Sequence, residues 1–150
     1  MQVLKEAGRA AKQKSTMWVY ASGGTDPPIR LYAYQPTRGS EHPRRFLDGF
    51  TGYLQSDGFA GYDALARARP QITGVGCWAH ARRKFVDVQK AQAGEGPEGE
   101  ASWFIERIGE LYGLERALAE APTDERYRRR QAEAAPILEA IGAHLEQLAG

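Results

Sequence analysis

Tyr53-Leu54-Gln55-Ser56-Asp57-Gly58, residues 53–58, is the stretch on which the fold turns. A short run led by Tyr53 and Leu54 lies between Gly52 and Gly58, both breakers, so residues 52–56 read as a strand ending on an Asp-Gly turn. A helix over 52–56 would overturn every assignment built on it. Upstream, Met17-Trp18-Val19-Tyr20-Ala21 is an aromatic and β-branched run stopped by Ser22-Gly23-Gly24. Asp26-Pro27-Pro28 prolongs that turn, and residues 29–34 then alternate Ile29, Leu31 and Ala33 against Arg30, Tyr32 and Tyr34. These two runs make a hairpin with one face buried. Ser40 is an N-cap with Pro43 in the first turn of a helix over about residues 41–48, expected to bury Phe46 and Leu47 and to expose Arg44 and Arg45.

Downstream, a brief helical patch over 62–69 stops at Pro70, and Ile72-Thr73-Gly74-Val75-Gly76 reads as a fourth strand. Trp78 to Gln89 is helical, with Trp78, Phe85 and Val88 available for packing. The fold expectation is therefore α/β, with the third strand parallel to the edge of the hairpin after a crossover helix. The clearest break is the polar loop Gly94-Glu95-Gly96-Pro97-Glu98-Gly99, which gives two segments, 1–90 and 91–150. Beyond it Trp103, Phe104, Ile108, Leu111, Leu114 and Leu118 form one helical stripe. Ile137, Leu138, Ile141, Leu145 and Leu148 form another on a helix over about 124–148, which Pro136 kinks or divides.

The 150 residues carry 20 Lys/Arg against 19 Asp/Glu, 42% hydrophobic residues and 26% charged, which is globular composition and excludes wholesale disorder. No run approaches a membrane span, and residues 1–6 hold no apolar signal-peptide core. The one cysteine, Cys77, has no internal disulfide partner, so a reducing cytoplasm is the expected location. The near-neutral total hides an asymmetry: residues 1–90 carry +7 and residues 91–150 carry −6. A basic first part favours phosphate-bearing partners through counterion release.

Asp57, at a strand end beside Tyr53, Phe59 and Tyr62, has the character of a metal ligand, since Mg²⁺ takes one or two carboxylates plus phosphate oxygens and water. The bland alternative is an ordinary Asp-Gly turn. Asp63 is a weaker candidate on a helical patch. Cys77-Trp78-Ala79-His80 has Cys-x-x-His spacing, but His42 and His144 supply no second pair for zinc. A nucleophilic Cys77 would need His80 as an oriented base, and packing by Cys77 and Trp78 is the simpler role. Arg44-Arg45 and Arg82-Arg83-Lys84 are basic clusters suited to phosphate, whereas Arg128-Arg129-Arg130 lies among Asp124, Glu125 and Glu133 and reads as salt-bridged surface.

Several strings together resemble a known family. Trp18-Val19-Tyr20, Tyr34-Gln35-Pro36-Thr37-Arg38 with Glu41-His42-Pro43, Gly52 through Tyr62, and Gly76-Cys77-Trp78-Ala79-His80-Ala81-Arg82-Arg83-Lys84-Phe85 resemble the central domain of the insertion-sequence 66 family of bacterial transposases. The match runs in order over residues 2 to about 90, and more loosely through Ile108-Gly109-Glu110-Leu111-Tyr112.

The resemblance implies a partial ribonuclease-H-like fold followed by a helical insertion segment, and DDE chemistry in transposition of an insertion sequence. In that chemistry three acids hold two divalent ions, Mg²⁺ or Mn²⁺; one activates water or a DNA 3′-hydroxyl and the other stabilises the leaving oxygen. Asp57 matches the second acid. The resemblance also implies that Cys77 and His80 are architectural. The implied partners are DNA, as insertion-sequence ends and target, and a second transposase chain; the implied location is the bacterial cytoplasm, at the nucleoid. The first aspartate of the family lies just upstream of Gln2 and the third acid beyond Gly150, while Glu106, Glu110 and Glu115 sit on an amphipathic helix and are poor substitutes. The expectation is a fragment with one catalytic carboxylate, inactive alone and not stably holding metal. Two further readings stand beside it: a non-enzymatic DNA-binding module that interferes with an intact transposase, and a helical interaction protein carried by residues 101–148. In the expected fold Asp57 lies beside the start of the Cys77–Phe85 segment, in a cleft for metal and DNA.

Overall fold

The computed structural model describes residues 8, 10, 12–23, 27–92 and 99–150. The architecture is α/β, and the chain divides into two compact units, Met1–Val75 and Gly76–Gly150. Residues 24–26, in the expected hairpin turn, and most of the 94–99 loop lie outside the described residues, as does much of the basic N-terminal stretch.

In the first unit, β1 (Thr16–Ala21) and β2 (Arg30–Gln35) form the expected antiparallel hairpin, with Trp18 opposite Ala33 and Tyr20 opposite Leu31. Ser22 and Ile29 close the ladder, backbone to backbone at 2.9 Å and Ile29 N–H to Ser22 Oγ at 2.9 Å. Trp18 is buried on the inward face, but burial fades toward the turn, and Leu31 and Ile29, expected inside, are exposed. Helix α1 (Glu41–Phe46) follows, two residues shorter than expected. Pro43 and Leu47 are buried. Phe46, expected in the core, is 44% exposed and instead stacks flat on Tyr20, with centroids 3.6 Å apart.

Strand β3 (Gly52–Gln55), helix α2 (Ala60–Ala68) and strand β4 (Ile72–Val75) then make a β-α-β unit with parallel strands, Gly52 opposite Ile72 and Gln55 opposite Val75. This corrects one expectation: β3 ladders with β4 and not with the hairpin, so the described residues of the unit form two two-stranded sheets. Aromatic packing joins them instead, because Trp18 meets Phe59 at 5.9 Å and Tyr62 at 5.8 Å, both edge to face. Leu47, Leu65 and Ile72 form the small core, with Phe50, Leu54 and Ala66 around it. Arg69 staples the end of α2 to the end of α1. Its Nη1 donates to the Leu47 carbonyl at 2.8 Å and its Nη2 to Asp48 Oδ1 at 2.9 Å.

The second unit is helical. It contains α3 (Trp78–Ala91), α4 (Glu100–Ala117), α5 (Thr123–Arg129) and α6 (Ala135–Ala149). Helix α3, grouped by the sequence with the first segment, packs on α4: Phe85 stacks on Phe104 at 4.4 Å, and Gln89 Nε2 donates to Ser102 Oγ at 2.8 Å. Trp78 and Val88, expected to pack, are exposed. The α4 stripe is as the periodicity predicts, with Phe104, Ile108, Leu111, Leu114 and Leu118 buried. Ile141 of α6 completes the core against Phe104, Ile108 and Leu111, whereas Leu138, Leu145 and Leu148 are exposed.

The expected break at Pro136 takes the form of a π-helical segment, Arg130–Ala134, between α5 and α6. Proline has no N–H for the carbonyl one turn back and its ring crowds that carbonyl, which a wider turn relieves. Arg126 donates to the Leu118 and Ala119 carbonyls at the end of α4, satisfying acceptors that a helix C-terminus leaves open. Arg129 and Arg130 pair with Glu133 and Glu115, so two of the arginines in that run are salt-bridged surface as expected. Among the described residues no helix is long and apolar enough to cross a membrane.

Candidate functional site

Asp57 stands one residue beyond the β3 ladder, which Ser56 extends by donating its N–H to the Val75 carbonyl at 3.0 Å. The chain must then turn sharply into α2, and Gly58 does so with φ +82°, a left-handed conformation that costs glycine little. Ser56 Oγ accepts from Gly58 N–H at 3.4 Å and Asp57 Oδ1 from Phe59 N–H at 3.1 Å. The Asp-Gly turn and the candidate carboxylate are thus one structure: the turn holds the side chain. The other oxygen, Oδ2, lies 3.7 Å from Arg38 Nη2 in a solvent-exposed pair. Arg38 also lies over the Phe59 ring, 4.4 Å from its centroid, where a cation meets the negative face.

Behind this carboxylate is an aromatic cluster. Phe59 and Tyr62 meet edge to face at 6.0 Å, both touch Trp18, and Trp18 lies 6.4 Å from the His42 ring. His42 Nε2 is held 2.9 Å from Thr37 Oγ1 and 3.3 Å from Glu41 Oε1. Tyr53, expected beside Asp57, is 78% exposed. Burial, and then the charges of Tyr20 and Asp57, push the Tyr62 phenol up to about 12 against the opposing pull of Arg38. A phenol raised in the folded state contributes stability below pH 10 that is lost as pH rises from 10 toward 12. Burial also raises the Tyr20 phenol, so tyrosinate absorbance in an alkaline titration should report late ionisation whose last phase belongs to Tyr62, and Tyr62→Phe should remove that last phase.

Arg44 and Arg45 are exposed on α1, in the same unit as Asp57. Arg83 and Lys84 are exposed and Arg82 half-buried on α3, in the second unit. Cys77 occupies the N-cap position of α3, and His80 one turn on comes to it: His80 N–H donates to the Cys77 carbonyl at 3.0 Å. A side-chain hydrogen bond from His80 is the main cause holding the Cys77 thiol below its usual range. Asp63 is exposed. Among the described residues no three of His, Cys, Asp and Glu gather into a metal-binding group. Sequence reasoning missed Arg38 and the role of Trp18; the Thr37-Arg38 step after the second strand was visible, but its partner across 19 residues was not.

Comparison with known proteins agrees with the strings around this site. The family described as "Transposase IS66 family" matches residues 1–149. The chain belongs to the IS66 transposase family. It is 34% identical over 145 residues to the uncharacterized protein y4qI of Sinorhizobium fredii (strain NBRC 101917 / NGR234), covering 89% of this chain and 26% of that protein. It is also 34% identical over 148 residues to y4hP of the same strain, covering 86% of this chain and 27% of the relative. A third relative there, y4jD, is 31% identical over 153 residues, covering 95% and 29%. The chain thus spans about a quarter of the length of these relatives. No solved structure gives a significant match.

Proposed function

We propose that this IS66 transposase segment is the central part of a DDE catalytic domain of ribonuclease-H-like design, acting on DNA at the ends and target of an insertion sequence. The observation that carries the reading is the place of Asp57, at the C-terminal end of β3 and immediately before the crossover helix α2. A carboxylate there is held by backbone on a rigid strand, with one oxygen toward solvent and a cation, Arg38, beside it. The hairpin, helix and β-α-β order is compatible with part of a ribonuclease-H-like sheet. When bound, divalent ions supply activation of the attacking oxygen and stabilisation of the leaving one. The described residues do not make a two-ion site, because among them Asp57 belongs to no group of three His, Cys, Asp or Glu side chains. The 150-residue chain is therefore proposed to be inactive in strand cleavage by itself. A nicking assay with Mg²⁺ or Mn²⁺ tests this, and metal-dependent cleavage by the isolated chain would overturn it.

The second reading, a non-enzymatic DNA-binding module that interferes with an intact transposase, is favoured by the +7 balance of residues 1–90. Arg82, Arg83, Lys84, Arg44 and Arg45 would supply phosphate contacts, which fix position and carry no sequence information. Binding is then expected to be weak, sequence-independent and salt-sensitive. Neutralising Arg82 and Arg83 together should lower the slope of log K against log salt by about two, close to one per phosphate contact. Fluorescence anisotropy at several salt concentrations measures it; a slope unchanged in the double variant would remove α3 from the interface.

A further inference from the structure

An open cleft of about 680 Å³ lies between the β1–β2 hairpin and α1, and neither Asp57 nor the α3 cations line it. One wall is the Tyr20–Phe46 ring pair, stacked at 3.6 Å with an interplanar angle of 11°. Phe46 is an unusual lining residue: it is a large apolar ring on a short helix, with 44% of its surface left to solvent. Arg45, Gln35, Glu41 and His42 line the same cleft, so a cation, an amide, a carboxylate held 3.3 Å from His42 and an imidazole belong to its wall. A flat aromatic face with a cation, an amide and a carboxylate around it is a poor seat for an aliphatic ligand. It matches the needs of a nucleobase: a π-face to stack on, a donor and acceptors for the base edge, and a guanidinium for the adjoining phosphate.

We propose that this cleft holds one unpaired nucleobase of a DNA strand, stacked on Phe46, with its phosphate on Arg45. Gln35 offers both donor and acceptor to the base edge, and Glu41 accepts from an exocyclic amino group. The cleft is also tied to the Asp57 cluster within the same unit, since Trp18 touches both His42, which lines the cleft, and Phe59, which receives the Asp57 turn. An unstacked base held here would anchor a strand end in the unit that carries Asp57. The inference rests on the reading of the chain as DNA-processing and adds to it a preference for unpaired over paired strands.

The test uses the full 150-residue chain with three ligands: a deoxynucleoside monophosphate, a short single strand containing 2-aminopurine, and the same sequence as a duplex. Stacking on Phe46 should quench 2-aminopurine in the single strand more than in the duplex. Phe46→Ala should weaken single-strand binding roughly tenfold and abolish the quench while leaving duplex binding nearly unchanged, and Phe46→Trp should restore both. Arg45→Gln should weaken the single strand and the monophosphate together. Phe46→Leu, which keeps an apolar side chain against Tyr20 but has no aromatic face, should behave as Phe46→Ala with an unchanged circular dichroism spectrum. Equal single-strand affinity and quench in the wild type, Phe46→Ala and Phe46→Leu would overturn the site. Tighter binding of the monophosphate than of the strand would overturn the strand as occupant. Loss of salt-dependent duplex binding with the quench retained would instead count against the broader DNA-interface reading and leave the cleft standing.

Discussion

Replacing the aspartate that aligns with Asp57 by asparagine in a full-length IS66 transposase is expected to abolish strand cleavage, by about 10³-fold or more if its charge serves the reacting phosphate. The same change in the 150-residue chain should leave folding and DNA binding intact. Asparagine keeps the Oδ1 acceptor that Phe59 N–H uses, so the turn into α2 survives. What disappears is one negative charge and its exposed 3.7 Å pairing with Arg38, and such pairs contribute only about 0–1 kcal/mol. In the proposed site this removes an anion that would face phosphate, so DNA affinity is expected to stay unchanged or rise slightly. Asp57→Ala is the informative contrast, because it also deletes the acceptor and should cost about 1 kcal/mol of stability. Thermal melts and anisotropy on both variants, with cleavage by the full-length relative, separate the two roles. If Asp57→Asn weakened DNA binding as much as loss of Arg82 and Arg83 together, Asp57 would be a structural residue and the proposed site would fail.

Phe104→Ala should have the largest effect on the second unit. Phe104 is 1% exposed and is the hub of its core, stacked on Phe85 at 4.4 Å, edge-on to Trp103 at 5.0 Å and 5.3 Å from the His144 ring. Truncating a fully buried phenylalanine loses both transfer free energy and the contacts lining the cavity, about 3–5 kcal/mol. Domains of this size are stable by only about 5–15 kcal/mol, so the loss takes up a large part of the margin. At roughly 4–8 °C for each kcal/mol, the helical melting transition should fall by more than about 12 °C. Leu145→Ala on α6, 46% exposed, is the matched control and should shift it by little. Limited proteolysis across 76–150 gives an independent readout. A Phe104→Ala protein melting like wild type would mean that α3, α4 and α6 do not share one core.

Local signals in the sequence were enough for most elements. Glycines and prolines set the limits of β3 and β4, a period of two set the hairpin, and a 3.6-residue period set the buried stripe of α4. Asp57 was legible as a candidate because its strand, its glycine and its family string all lie within one short stretch. Pro136 announced a break, although not that a π-helical segment just before it would absorb the strain.

Tertiary structure decided what depends on partners distant in the chain. Phe46 and Leu31 are as apolar as Leu47 and Trp18, yet they are exposed, since burial depends on what arrives opposite and not on the residue itself. Strand pairing belongs to the same class: nothing inside residues 52–56 states whether that strand ladders with the hairpin or with β4. Arg38 reached Asp57 across 19 residues of sequence, and Arg69 reached Leu47 across 22. Composition and periodicity are properties of neighbours along the chain, and so they determined the elements of this protein. The aromatic cluster behind Asp57 and the cleft beside Phe46 are made by residues that only folding brings together, which is why they had to be seen in three dimensions.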